Sequence, residues 1–201
     1  MVVFDEGFYS KQFDKNNVYD NLGKEKVDSV NNELIGYLNN ENPLVTDFFN
    51  EKEKLHLVDV QLLINNIIGF FYVVLFLLVL IFIYFALADK PEVIGRGLVI
   101  GGFFALIVLV LLALASLINF NLVFTYFHLA SFNNDLWLLN PDSSLIRMFP
   151  SEFFYSAFTR ILVIGLAVSA LFIIIGHVIK KHPSVLKKKF YLDLFKRFFL
   201  E

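Results

Sequence analysis

The 201-residue chain contains no cysteine, which excludes disulfides, thiolate metal sites and a cysteine nucleophile. Charge is also scarce: 18% of the residues are Asp, Glu, Lys or Arg, against about 25% in ordinary soluble domains. The formal net charge is only −2, which excludes a strongly basic nucleic-acid binder. What is present instead is apolar. Hydrophobic residues make up 57%, 25 residues are Phe, and the mean hydropathy is +0.65. This is the composition of an integral membrane protein. Phe is abundant together with Asn, Lys and Ile, a bias that genome composition can produce, so its excess carries no functional reading.

Three stretches are long and apolar enough to cross a bilayer, which takes about 20 mostly apolar residues over roughly 30 Å of hydrocarbon. No charge falls between Asp59 and Asp89, and none between Arg96 and Asp135, where Leu98–Leu117 is the spanning part. The third stretch, Ile161–Ile179, is interrupted only by small or polar residues and His177. Lys and Arg near the helix ends set the orientation. Seven follow Ile179, which puts the tail in the cytoplasm, and the short connection carrying Lys90 and Arg96 shares that side. The region before the first span has six lysines against twelve acids and faces outward. With no signal peptide ahead of this acidic region, the expected whole protein has a further N-terminal helix, four spans in all, and both termini inside; the alternative reading is that the first span inserts N-out by itself.

The fold class predicted is therefore an all-α integral membrane protein with a helical extracytoplasmic cap. The cap occupies 1–59, and spans occupy 60–88, 98–118 and 161–179. An interfacial or re-entrant segment over 119–160 covers the outer ends, and a basic amphipathic tail, 180–201, lies on the anionic cytoplasmic leaflet. Within the cap, Val27, Val30, Leu34, Tyr37 and Leu38 follow helical spacing. Asn50 and Glu53 have the spacing of a capping box. No Gly or Pro separates them from the first span, so the helix is expected to run on into the membrane. In 119–160, Trp137 and the tyrosines mark a membrane interface, with turns at Asn140-Pro141 and Phe149-Pro150.

Chemistry then rests on four histidines and the polar groups near them. His182 sits among tail lysines, and His177 near the cytoplasmic end of a span is accounted for by snorkelling or helix packing. His56 and His128 differ. Both fall at the outer boundary of the bilayer on different helices, His56 with Asp59 on its face and His128 followed by Asn133, Asn134 and Asp135. Polar groups at that depth are costly, and imidazole moves protons near neutral pH. Capping of a helix-end carbonyl by each histidine is the equally weighted structural reading.

The stretch NEKEKLHLVDV around His56 resembles the start of the second span in the Lit family of lipoprotein intramolecular transacylases. FTYFHLASFNNDLWLLNPDSSLIRMFP is similar to that family's second signature: Phe-His, Phe-x-Asn, a Trp, Asn-Pro and a closing Phe-Pro. FDEGFYSKQFDKNNVYDNL resembles the segment after the family's first helix. The similarity covers most of residues 1–180 in order.

The resemblance implies four spans and a reaction. One O-linked acyl chain of a diacylglyceryl-modified lipoprotein moves to the α-amino group of its N-terminal Cys, giving a lyso-form lipoprotein. The family's two functional histidines would fall on His56 and His128 as acid and base. Asp59 would support His56, Asn134 would donate to the oxyanion, and Asp135 and Trp137 would support the site. No metal, cofactor or nucleic acid is implied; the partners are the lipoprotein substrate and membrane lipid. Two other readings stay open: a non-enzymatic assembly factor whose outer segment is a partner interface, and a metal-binding sensor using His56, His128, Asp59 and Asp135, a donor set suited to zinc.

Overall fold

A computed structural model describes residues 5–186; Met1–Phe4 and most of the basic tail read over 180–201 lie outside the described residues. The described residues form α1 (Glu6–Lys15), α2 (Val18–Leu22), α3 (Lys24–Leu38), α4 (Glu51–Leu87), α5 (Pro91–Ser131), α6 (Ser144–Met148) and α7 (Ser151–Lys181). A 3-10 turn at Pro183–Leu186 follows, and no strand occurs among the described residues. Helices α4, α5 and α7 are each long and apolar enough to cross a membrane. The chain is an all-α, multi-pass membrane protein. It divides into two compact units. A polar unit comprises the residues up to Ile68 with Leu114–Ile161, and an apolar unit comprises Gly69–Ala113 with the residues from Leu162.

In the polar unit, each short helix begins and ends for a local reason. Asp5 caps α1 by accepting the Phe8 N–H at 3.0 Å, and Glu6 and Lys15 sit at the dipole ends that favour their charges. Gly23, at φ +83°, separates α2 from α3 in a conformation that an L side chain would strain. Helix α3 is the one predicted from the Val27–Leu38 periodicity, and its Val27, Val30, Leu34 and Leu38 are all buried. They pack into a core with Phe8, Tyr9, Phe13, Phe49, Met148, Phe149 and Phe153. Every pair among Tyr9, Phe13, Phe149 and Phe153 has ring centroids 5.1–6.1 Å apart. Such pairs add about 0.5–1.5 kcal/mol each beyond the area they bury. Burial there pushes the Tyr9 hydroxyl up to about 12.

Glu53 ties this unit together. The expected capping box is present: Asn50 Oδ1 accepts the Glu53 N–H at 3.0 Å, and Glu53 Oε2 accepts the Asn50 N–H at 2.6 Å. The remaining oxygen, Oε1, accepts the Leu145 N–H at 2.9 Å, joining the start of α4 to the first turn of α6. The side chain is fully buried. Removing its carboxylate would strand two donors, at about 1–3 kcal/mol each.

The two helices that carry the histidines pass into this unit by different means. At 1.5 Å per residue, the 37 residues of α4 extend about 55 Å, well beyond roughly 30 Å of hydrocarbon. Its charged first turns therefore continue the apolar helix without a break. Helix α5 is interrupted at Asn119, whose φ of −158° and ψ of 93° are not helical. The Asn119 side chain accepts the Leu122 N–H at 3.0 Å and so caps a second helical piece running to Ser131. The segment beyond 119, read from sequence as short or re-entrant pieces, thus starts as a capped helix. It continues through residues 132–143 into α6, and α7 starts at Ser151.

In the apolar unit, α5 and α7 meet at small residues. A Cβ on Gly176 would lie 2.7 Å from the Gly95 carbonyl oxygen, and one on Gly102 would lie 3.0 Å from that of Ser169. Lipid gives no hydrophobic drive for helices to associate, so close backbone approach at small side chains takes its place.

Candidate active site

His56 lies in the second turn of α4 and His128 in the last turn of the capped half of α5. Although 72 positions separate them in the chain, their ring centroids are 6.1 Å apart with planes inclined at 31°. Both are buried, at 7% and 8% exposure. Aromatic rings enclose them. Phe124, one turn before His128, stands 4.3 Å from its ring, and Phe132, one turn after, touches His128 at 5.7 Å and His56 at 5.3 Å. Trp137 lies over His128 at 5.1 Å and 35°.

The hydrogen bonding fixes the tautomer of one ring. His128 Nδ1 lies 2.8 Å from the Phe124 carbonyl oxygen. A carbonyl can only accept, so Nδ1 carries the proton and the neutral ring keeps its lone pair on Nε2. His56 Nδ1 is buried and has no hydrogen-bond partner among the described residues. The carbonyl-capping reading of the sequence thus holds for one nitrogen of His128, and the ring's other nitrogen stays available for chemistry.

The remaining predicted residues surround this pair. Asp59, one turn along α4, accepts the Asn134 side-chain N–H at 2.9 Å, and Asn134 Oδ1 accepts the Leu136 N–H at 3.0 Å. These bonds hold residues 132–138 against α4, with Trp137 over His128. Asp135 is exposed, and its backbone carbonyl closes a turn with the Leu138 N–H. His177 is exposed and donates Nδ1–H to the Ile173 carbonyl at 3.0 Å within its own helix; His182 is exposed. Among the described residues, no three His, Cys, Asp or Glu side chains gather as a ligand set for a metal ion.

Sequence reasoning overlooked three participants. Phe124 and Phe132 stand four residues either side of His128, a helical spacing that could have flagged them as its ring neighbours. Lys52 was counted only as surface charge, yet its ammonium donates to the Leu138 carbonyl at 2.6 Å. No local signal announces that bond, because its partner lies 86 residues away.

The family model for the lipoprotein intramolecular transacylase Lit matches residues 1–154. No curated protein sequence matches the chain. An in meso structure of the membrane-integral lipoprotein intramolecular transacylase Lit from Bacillus cereus is similar, with a TM-score of 0.78 and 26% sequence identity, over 92% of this chain and 87% of that one. Two structures of the same Bacillus cereus enzyme with a single histidine replaced, one by arginine and one by alanine, each give a TM-score of 0.74 at 26% identity. They cover 92% of this chain and 84% and 85% of theirs. With the match extending over three quarters of the sequence and both histidine segments inside it, the chain belongs to the Lit family of lipoprotein intramolecular transacylases, which are membrane acyltransferases.

Proposed function

We propose that His56 and His128 are the acid–base pair of an intramolecular N-acyl transfer. The substrate is a lipoprotein whose N-terminal Cys carries a diacylglyceryl thioether, reached from the extracytoplasmic face of the plasma membrane. The α-amino nitrogen attacks the ester carbonyl of one O-linked chain. It gives up a proton, the carbonyl–oxygen bond to glycerol breaks, and the glycerol oxygen takes a proton as it leaves. The product is an N-acylated lyso-form lipoprotein. One proton leaves nitrogen and one reaches oxygen, so the protein needs a base and an acid but no cofactor or metal.

The observation that carries this reading is the 6.1 Å approach of two buried imidazoles inside an aromatic enclosure. Two imidazolium ions at that spacing would repel, so the pair holds one proton more readily than two, which is the state a base-then-acid relay requires. The lone pair left on His128 Nε2 suits it to take up the first proton. Asp59 lies one turn from His56 and stabilises its protonated form. Asn134 gives one side-chain N–H to Asp59 and has a second for the oxyanion. Trp137 and the strap it belongs to, residues 132–138, keep water from the pair, and Asp135 shapes the turn of that strap.

The test is mass spectrometry of a lipoprotein N-terminus from cells with and without the gene, and from purified protein given a diacylglyceryl lipopeptide. N-acylation with loss of one O-acyl chain from the same molecule is expected. Transfer between molecules, or none at all, would refute the reading. No transfer at all would leave the assembly-factor alternative, in which residues 119–160 bind a partner.

A further inference from the structure

Beside the strap lies an open cavity of about 480 Å³, within the roughly 300–1,000 Å³ typical of ligand sites. Asn50 and Lys52 line it on one side, and the segment from Leu138 to Pro141 with Ser143 on the other. Lys52 precedes His56 by four residues, so the two side chains share a face of α4 one helical turn apart. The cavity is therefore on the side of His56 toward the charged start of α4. On its other wall, Leu138 follows directly on Trp137, the ring that covers His128.

Resting on the transacylase reading above, we infer that this cavity holds the polypeptide of the substrate just after its N-terminal Cys. The acyl chains of such a substrate stay in hydrocarbon, the reacting amine must reach the histidines, and the polypeptide has to leave toward water. From His56, that direction leads past Lys52. The lining matches an extended main chain better than a fatty chain. It offers the amides of Asn50 and Asn140 and an ammonium that spends one of its three N–H bonds on the Leu138 carbonyl. The remaining two can donate to peptide carbonyls. Contacts of this kind are made to the main chain and so do not depend on which residues follow the cysteine. The same ammonium holds the strap, so peptide in the cavity and Trp137 over His128 are mechanically joined.

The experiment compares diacylglyceryl-Cys lipopeptides in lipid vesicles, one ending at the cysteine as its amide and one with four further residues. For the unaltered protein, kcat/KM is expected to be higher for the longer substrate by about tenfold to a hundredfold, the contribution of a charge-assisted hydrogen bond, with the gain residing in KM. In Lys52→Met the preference should collapse toward unity, and Lys52→Arg should restore most of it. A photoreactive residue at the third position should cross-link within 138–143, a readout that does not depend on turnover. Equal kcat/KM for the two lengths, a preference that survives Lys52→Met, or a cross-link elsewhere would each overturn the proposal while leaving the transacylase reading in place. Absence of N-acylation for every substrate would overturn both.

Discussion

Phenylalanine meets opposite fates in the two units. In the polar unit Phe13, Phe149 and Phe153 are 1%, 7% and 5% exposed, whereas in the apolar unit Phe70, Phe76 and Phe104 are 71%, 61% and 70% exposed. The residue is the same and the solvent is not. Against water, burying a large ring is the main favourable term of folding. Against lipid tails it gains almost nothing, so rings stay outside and close helix contacts fall to glycines such as Gly95 and Gly176. The histidine pair sits in the unit organised by water exclusion. Two of its buried polar side chains are held by partners there, Glu53 by two backbone N–H groups and His128 by a carbonyl. A unit whose faces are covered by mobile lipid would hold two imidazoles in register less well.

The sharpest way to break this contrast is at the site. His56→Ala and His128→Ala should each lower N-acylation by about 10²–10⁴-fold, the usual contribution of acid–base catalysis, with expression and membrane insertion unchanged. The double variant should lose little more than either single one, because groups acting as a unit fail together. Near-normal activity in either single variant would end the two-histidine mechanism. His177→Ala, on an exposed turn of the apolar unit, should be indistinguishable from the unaltered protein.

The comparison between the units is sharpened by the same truncation made in each. Phe13→Ala should destabilise the polar unit by about 3–5 kcal/mol, since it opens a hole in a ring cluster that cannot collapse. Phe70→Ala should stay within about 0.5 kcal/mol, like other changes that touch no packed group. Denaturant titration of the protein in lipid reads both. Equal losses would mean that Phe70 is covered by something other than lipid.

Much of this was legible in the sequence because its signals are local. Uncharged runs reveal the long helices, the Val27–Leu38 periodicity reveals α3, and Asn50 with Glu53 reveals the capping box. The two histidines were singled out by polarity at membrane depth and by their surrounding motifs. Pairings across long stretches of chain left no such trace. Nothing near Glu53 predicts Leu145, nothing near Lys52 predicts Leu138, and Asn134 reads as a free amide until Asp59 is seen beside it. The boundary read at residue 119 falls on the break in α5, but the cap did not show in the sequence: in an apolar helical run a single Asn is tolerated, and only the backbone shows that it caps a new helix.

A smaller effect separates glycines within the apolar unit. Gly176→Leu should cost about 1–3 kcal/mol, because the new Cβ would meet the Gly95 carbonyl at 2.7 Å and the Val99 N at 2.9 Å, backbone atoms that cannot turn aside. Gly101→Ala, with nothing within 4 Å, should be neutral or slightly stabilising. If both behave alike in a thermal unfolding assay, the α5–α7 contact is not what holds that unit.

The smallest effect concerns the ion pair between Asp5 and Arg160 that fastens α1 to α7 in the polar unit. Asp5 accepts from Arg160 at 2.6 Å, and this bond, with the Phe8 N–H, holds its carboxyl below the usual 3.8. A carboxyl whose folded value is depressed adds stability that is fully present above its unfolded value and is lost as pH falls through the folded one. Stability of the polar unit should therefore not vary with pH through Asp5 near neutrality and should fall below about pH 4. Both partners are partly solvated, so salt should weaken the contribution. Asp5→Asn should flatten the acid limb of the stability profile without altering its level at pH 7 by more than the loss of one weak pair, since Asn can still cap α1. An unchanged acid limb in Asp5→Asn would show that the pair does not fasten α1, leaving the Phe8–Phe153 ring contact at 5.5 Å to hold that helix.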